Sequence, residues 1–146
     1  MKTVIATLCL FAVAQPCPAQ TVTDTDFVIK VPDGKGSMIV ESGTVVPLSA
    51  SACYEWRVRL NKTKGDVTAT EIFRFPKAPL DWGTVEEMTF SEDERVGTSQ
   101  LRLSPVDNWI SNERCVLDGD PAGSHSFEVR AFGKLLHRFL FEVQDF

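Results

Sequence analysis

Sustained helical periodicity is absent from this 146-residue chain, and so are internal repeats and low-complexity tracts. The first absence argues against a bundle or an α/β fold, since both need apolar residues recurring every three to four positions. Histidine is scarce, with 2 in the chain, so few side chains are poised for proton transfer near neutral pH. No Cys-x-x-Cys pair and no nucleophile-elbow pattern occurs, which removes the usual redox and serine-hydrolase signatures. Basic clusters are missing as well. The 15 lysines and arginines lie singly among 20 acidic residues, for a net charge of −5. Nucleic acid and anionic membrane surfaces are therefore poor partners.

What is present begins with a secretory leader over residues 1–19. Lys2 supplies the charge, Val4 to Ala14 the apolar core, and Pro16-Cys17-Pro18-Ala19 a small-residue exit before Gln20. Cleavage after Ala14 also satisfies the small-x-small rule, but Ala19 is preferred. The leader's apolar run is too short to span a bilayer as a helix, and no second run is longer. Neither Cys9 nor Cys17 fits a lipoprotein signal. The expectation is a periplasmic or secreted protein with no membrane insertion after cleavage and a single domain over residues 20–146. Loss of Lys2 with the leader takes the net charge from −5 to −6. Of 4 cysteines, only Cys53 and Cys115 then remain. An even pair in an oxidising compartment predicts one disulfide.

The mature chain reads as short strands separated by turn signals. On Phe127, Val129 and Ala131 the apolar residues alternate with Ser126, Glu128 and Arg130; on the next run Leu135, Phe139, Phe141 and Val143 share a parity with His137. Keeping both apolar sets on one face requires Phe127 opposite Phe139 and Val129 opposite His137. A three-residue loop Phe132-Gly133-Lys134, or a bulge that restores the phase, achieves this. Cys53 to Leu60 alternates as cleanly, with Tyr54, Trp56, Val58 and Leu60 on one face. A polar turn at residues 61–66 then leads into a strand from Val67 to Phe75, and the two could form a hairpin. Thr21 to Val31, Met38 to Val46, Gln100 to Leu103 and Arg114 to Leu117 supply further strands. Glu87 to Phe90 reads as an edge strand or a short helix, and Pro105 to Asn112 as a helical turn around Trp109. The fold expected is an all-β antiparallel sandwich of about seven or eight strands, immunoglobulin-like, with one disulfide. Trp56, only three residues after Cys53, is too close for a true immunoglobulin core.

No reactive cluster emerges from these positions. In the register above His125 opposes Phe141, and His125 and His137 stand about 13 Å apart along the hairpin. They share neither a metal nor a proton. Ser124 and His125 point to opposite faces of one strand and form no dyad. Asp118-Gly119-Asp120 has part of a calcium-loop pattern but the wrong offsets, and reads as a turn. Asn61-Lys62-Thr63 fits a glycosylation sequon. The acidic residues Glu86, Glu87, Glu92, Asp93 and Glu94 read as solvated charge. No metal or cofactor is expected. The aromatic group Tyr54, Trp56, Trp82 and Trp109 is the one candidate platform for a ligand. Trp56 belongs to the core by its alternation. Trp82 and Trp109, in loops, with Leu80 beside Trp82 in the proline-rich crossing segment of residues 76–83, are the candidate binding residues.

The ending from Asp120 through Gly123-Ser-His-Ser-Phe-Glu-Val-Arg-Ala-Phe-Gly-Lys-Leu-Leu136 to Phe139-Leu-Phe-Glu-Val143 is similar to the last hairpin of small exported bacterial immunoglobulin-like β-sandwich domains. That resemblance implies an accessory or binding module and brings no catalytic residues with it. The function expected is non-enzymatic contact with a protein or envelope component. A secreted inhibitor of a cell-wall hydrolase or protease is the alternative, and an enzyme using Glu92 and Asp93 a third reading.

Overall fold

Strict alternation sets the strands Cys53–Leu60 and Val67–Arg74, and inward aromatics on each give them something to close against. The computed structural model describes residues 19–83 and 87–146. The leader up to residue 18, and Glu86 of the acidic stretch, lie outside the described residues. Among the described residues there are ten strands and no helix. They are β1 (Val22–Pro32), β2 (Met38–Ser42), β3 (Val45–Pro47), β4 (Cys53–Leu60) and β5 (Val67–Arg74), then β6 (Met88–Phe90), β7 (Val96–Leu103), β8 (Trp109–Cys115), β9 (Gly123–Ala131) and β10 (Lys134–Gln144). One sheet has the order β2-β1-β4-β8 and the other β3-β10-β9-β5-β7-β6.

The sandwich and its disulfide are as expected, but ten strands replace seven or eight. One extra strand comes from the run Met38 to Val46, which divides into β2 and β3. The run breaks at Gly43-Thr44 and changes sheet, pairing first with β1 and then, in parallel, with β10. The Glu87 region resolves into the edge strand β6, paired with β7. Residues 105–112 hold no helical turn. Val106 and Trp109 exchange both backbone hydrogen bonds, at 3.0 and 2.8 Å. Asp107 and Asn108 between them have φ of 50° and 66°, the left-handed pair that Asp and Asn tolerate in a two-residue reversal. β4 and β5 do not form a hairpin either. The turn between them carries the chain from one sheet to the other.

The C-terminal hairpin pairs Phe127 with Phe139 and Val129 with His137. A bulge between Leu135 and His137 restores the phase after a two-residue turn at Phe132-Gly133. Leu136 consequently points inward and Leu135 to solvent, the reverse of the simple parity. Inside, Phe27, Tyr54, Phe73, Phe127 and Phe141 stack in one aromatic layer, with Phe73 and Phe127 centroids 4.3 Å apart. Cys53 and Cys115 lie directly opposite each other on β4 and β8. They share the parity of Glu55 and Arg57. The disulfide therefore staples two neighbours within one sheet, on its outer face, and does not tie the sheets together.

Candidate binding surface

A carboxylate sits at the centre of the interior. Glu71 follows Ala69 and precedes Phe73 on the inward parity of β5, and its side chain is fully buried. One oxygen accepts the indole N–H of Trp56 at 2.6 Å and the amide of Asn112 at 2.9 Å. The other accepts two N–H groups of Arg114, at 3.0 and 2.8 Å. Trp56, Asn112 and Arg114 belong to one sheet and Glu71 to the other, so this network spans the sandwich. Every acceptor direction is occupied by the protein itself, leaving no group free to meet a substrate.

A second carboxylate, Glu128, lies on the outer face of the six-stranded sheet. Arg138 donates to it, and Arg130 and Arg74 stand 3.4 and 3.5 Å away. Burial opposes its ionisation, but Arg138, Arg74 and Arg130 outweigh that and hold the carboxyl below its ordinary range. On the outer face of the other sheet, burial likewise opposes Glu55, yet hydrogen bonds from Arg57, Lys30 and Ser111 bring it to about 2.

His125 opposes Phe141, as the register requires, and is buried among Phe73, Phe75 and Phe141. Its Nδ1–H donates to the Gly123 carbonyl at 2.8 Å, and Nε2 is buried without a partner. Ser124 faces the other way and donates to Glu142 at 2.7 Å. Burial lowers the His125 pKa below its ordinary 6.5, against the Gly123 hydrogen bond and the Glu142 charge. The unfolded chain keeps the ordinary value. As pH falls below about 6.5 the unfolded state therefore binds the proton first, and stability declines until the folded pKa is passed. His125→Phe is expected to flatten this part of a urea-unfolding pH series, leaving the share due to His137, whose pKa burial also lowers. An unchanged pH profile would show that His125 is solvated in the native state.

The three candidate binding residues fall at two ends of the sandwich. Trp82 leans edge-on against Phe75 with centroids 4.7 Å apart, and its N–H donates to the Glu94 carbonyl at 3.1 Å. Its ring covers Gly97, where a Cβ would come within 2.8 Å of it. It is half-buried and packed on the core. Leu80, two residues earlier, is not tucked under the loop but 89% exposed. Its N–H donates to the Gly119 carbonyl at 3.2 Å, which pins the loop to the turn at residues 118–120. That turn is closed by Asp120, accepting the Leu117 N–H at 2.9 Å. Trp109 stands at the other end of β8, a strand length of about 20 Å away.

Around Trp109 the outer sheet face forms a groove of about 460 Å³, lined by Asp26, Glu55, Arg57, Val106 and Ser111 among others. The Arg59 guanidinium lies 5.9 Å from the Trp109 ring centroid, a cation–π distance. Val106, at the rim, is 71% exposed. Aromatic and aliphatic surface beside fixed charges suits the anchoring of a partner group. Cys53, Cys115 and Glu113 bring potential metal-ligating atoms within 4.8 Å of one another, but the two sulfurs are bonded together and offer no thiolate. Sequence reasoning singled out Trp109, which lines this groove. It missed Glu71 and Glu128, although the parity of Ala69, Glu71 and Phe73 was a usable signal for the first.

The sequence model of the PM0630 beta sandwich domain matches residues 25–144. No curated protein is a match. Among solved structures, an immunoglobulin-like protein from Pseudomonas aeruginosa is similar, with a TM-score of 0.57 and 14% identity. The likeness covers 86% of this chain and 97% of that one. At this identity it shows the fold alone.

Proposed function

The chain belongs to the PM0630 beta sandwich domain family, and from that premise we propose that it works as a non-enzymatic, exported binding module contacting a protein or envelope component. The observation that carries this reading is the Trp109 groove, where an aromatic ring and exposed Val106 flank ionised Glu55 and Arg57. Of the charged groups there, Glu55 is paired with Arg57 at 2.8 Å and with Lys30 at 2.9 Å. Paired ions position a partner; they do not transfer protons at neutral pH. An outer-face disulfide, with Cys115 exposed, fits an oxidising compartment.

Trp109→Ala is expected to leave the unfolding free energy within about 0.5 kcal/mol of wild type, because Trp109 does not pack on the core cluster. The same variant is expected to lose the partner that wild type retains from envelope extract. Trp82→Ala serves as the contrast, because it uncovers Phe75 and should destabilise the fold. Equal recovery of the partner by wild type and Trp109→Ala would remove the groove from the binding surface. A second reading, inhibition of a cell-wall hydrolase or protease, is favoured by Leu80, an exposed apolar side chain on a loop held by its own backbone. A micromolar inhibition panel tests it, with no inhibited hydrolase as the refuting result.

A further inference from the structure

Four strands end the two sheets: β2 and β8 in one, β3 and β6 in the other. β3 and β6 are 3 residues each, too short to seat another strand, and β8 carries Asn112, Glu113 and Arg114. β2 differs. All of its residues are exposed, and Met38, Ile39 and Val40 leave 47%, 49% and 56% of their surface in solvent. No lysine, proline or bulge guards this edge, although sheets ordinarily use such devices against strand addition. The phase of the β1–β2 ladder fixes which backbone groups are free. Gly43 N–H bonds to Phe27 O at 3.0 Å and Asp33 N–H to Ser37 O at 2.9 Å. In the register between them, residues 39 and 41 bond to β1, while Met38, Val40 and Ser42 turn their N–H and C=O outward.

From this edge we propose that β2 pairs antiparallel with β2 of a second copy about a two-fold axis at Ile39, joining two of the four-stranded sheets into one. Two constraints set the register. Only pairings of even-numbered with even-numbered residues bring the outward backbone groups together. Of these, the axis at Ile39 sets Ile39 against its own copy and Met38 against Val40, so that each apolar side chain meets another. An axis at Val40 would set Ile39 against Glu41. With the axis at Ile39, Glu41 faces Ser37 of the second copy, two residues from the Lys35 carried by the turn that closes that copy's β1–β2 hairpin. Neither Glu41 nor Lys35 belongs to an ion pair among the described residues. The two-fold brings these opposite charges near each other twice and sets Met38 against Val40 twice, the self-complementarity that an isologous interface requires. This inference does not depend on the Trp109 groove.

Sedimentation equilibrium of the disulfide-intact chain is expected to show a reversible doubling of mass with concentration. Ile39→Lys places like charges at the axis. Val40→Pro deletes an outward N–H without touching the β1 ladder. Both are expected to hold the chain at monomer mass while the unfolding midpoint of the dilute protein stays put. Glu41→Lys should weaken the dimer several-fold, and adding Lys35→Glu should restore it. Ile39→Cys should give a covalent dimer on oxidation, because residues at the axis form a non-hydrogen-bonded pair about 4.5 Å apart. Val40→Cys should not. A wild type that stays monomeric at every concentration, including one whose β2 captures only a foreign strand, overturns the proposal. So does a dimer indifferent to Val40→Pro, or cross-linking at position 40 in place of 39.

Discussion

Replacing Glu71 with alanine is expected to destabilise the fold by about 3–5 kcal/mol, the loss typical of breaking a buried ion pair from one side. The damage lies in what stays behind. The Arg114 side chain is only 17% exposed and would lose both of its short contacts to the carboxylate. The Trp56 indole N–H, in a residue with no solvent exposure, and the Asn112 amide would lose their acceptor as well. Urea unfolding measures the loss, and a change below about 1 kcal/mol would mean that water enters to satisfy these donors. Arg114→Met added to Glu71→Met supplies a second check. The two losses are expected to be less than additive, since each removes the same contact. Strict additivity would contradict the network.

Removing the disulfide is the other large effect. Cys53 and Cys115 are separated by 62 residues, and closing a loop of that length stabilises the fold by about 4 kcal/mol on the chain-entropy account. The Cys53→Ser/Cys115→Ser double variant is expected to unfold at correspondingly lower urea while keeping its native far-ultraviolet spectrum. The fold survives because the β4–β8 ladder, from Cys53–Cys115 to Arg59–Trp109, keeps its hydrogen bonds. Dithiol reduction of the wild type should reproduce the shift, because Cys115 is open to solvent. A midpoint unchanged by both treatments would show that the unfolded chain is already compact between these positions.

Much of this architecture is written in alternation. The C-terminal hairpin admits one pairing that keeps Phe127 and Phe139 on a common face, and that pairing occurs. The exchange of Leu135 for Leu136 inside was hidden, because it follows from a turn that holds Phe132 at φ 54°. No intrinsic preference of phenylalanine points there. The cysteine pairing was legible from the count alone. Its place on an outer face was legible too, since Cys53 shares parity with Glu55 and Arg57. The interior carboxylate was masked by the habit of assigning charges to the wet face. Its main partner, Arg114, lies 43 residues further along the chain. Turn composition at residues 61–66 looks the same whether the next strand stays in the sheet or crosses, so β4 and β5 could not be separated by sequence.

The parallel contact of β3 with β10 sets Val46 beside Val143 and the Thr44 carbonyl beside the Glu142 N–H, residues almost a hundred positions apart. Contacts of such sequence separation slow folding, because the intervening chain must be closed before they form. A polypeptide emerging amino terminus first must therefore keep Val45 to Pro47 waiting until β10 appears. Until then, one rim of the sandwich stays open to the proteins around it.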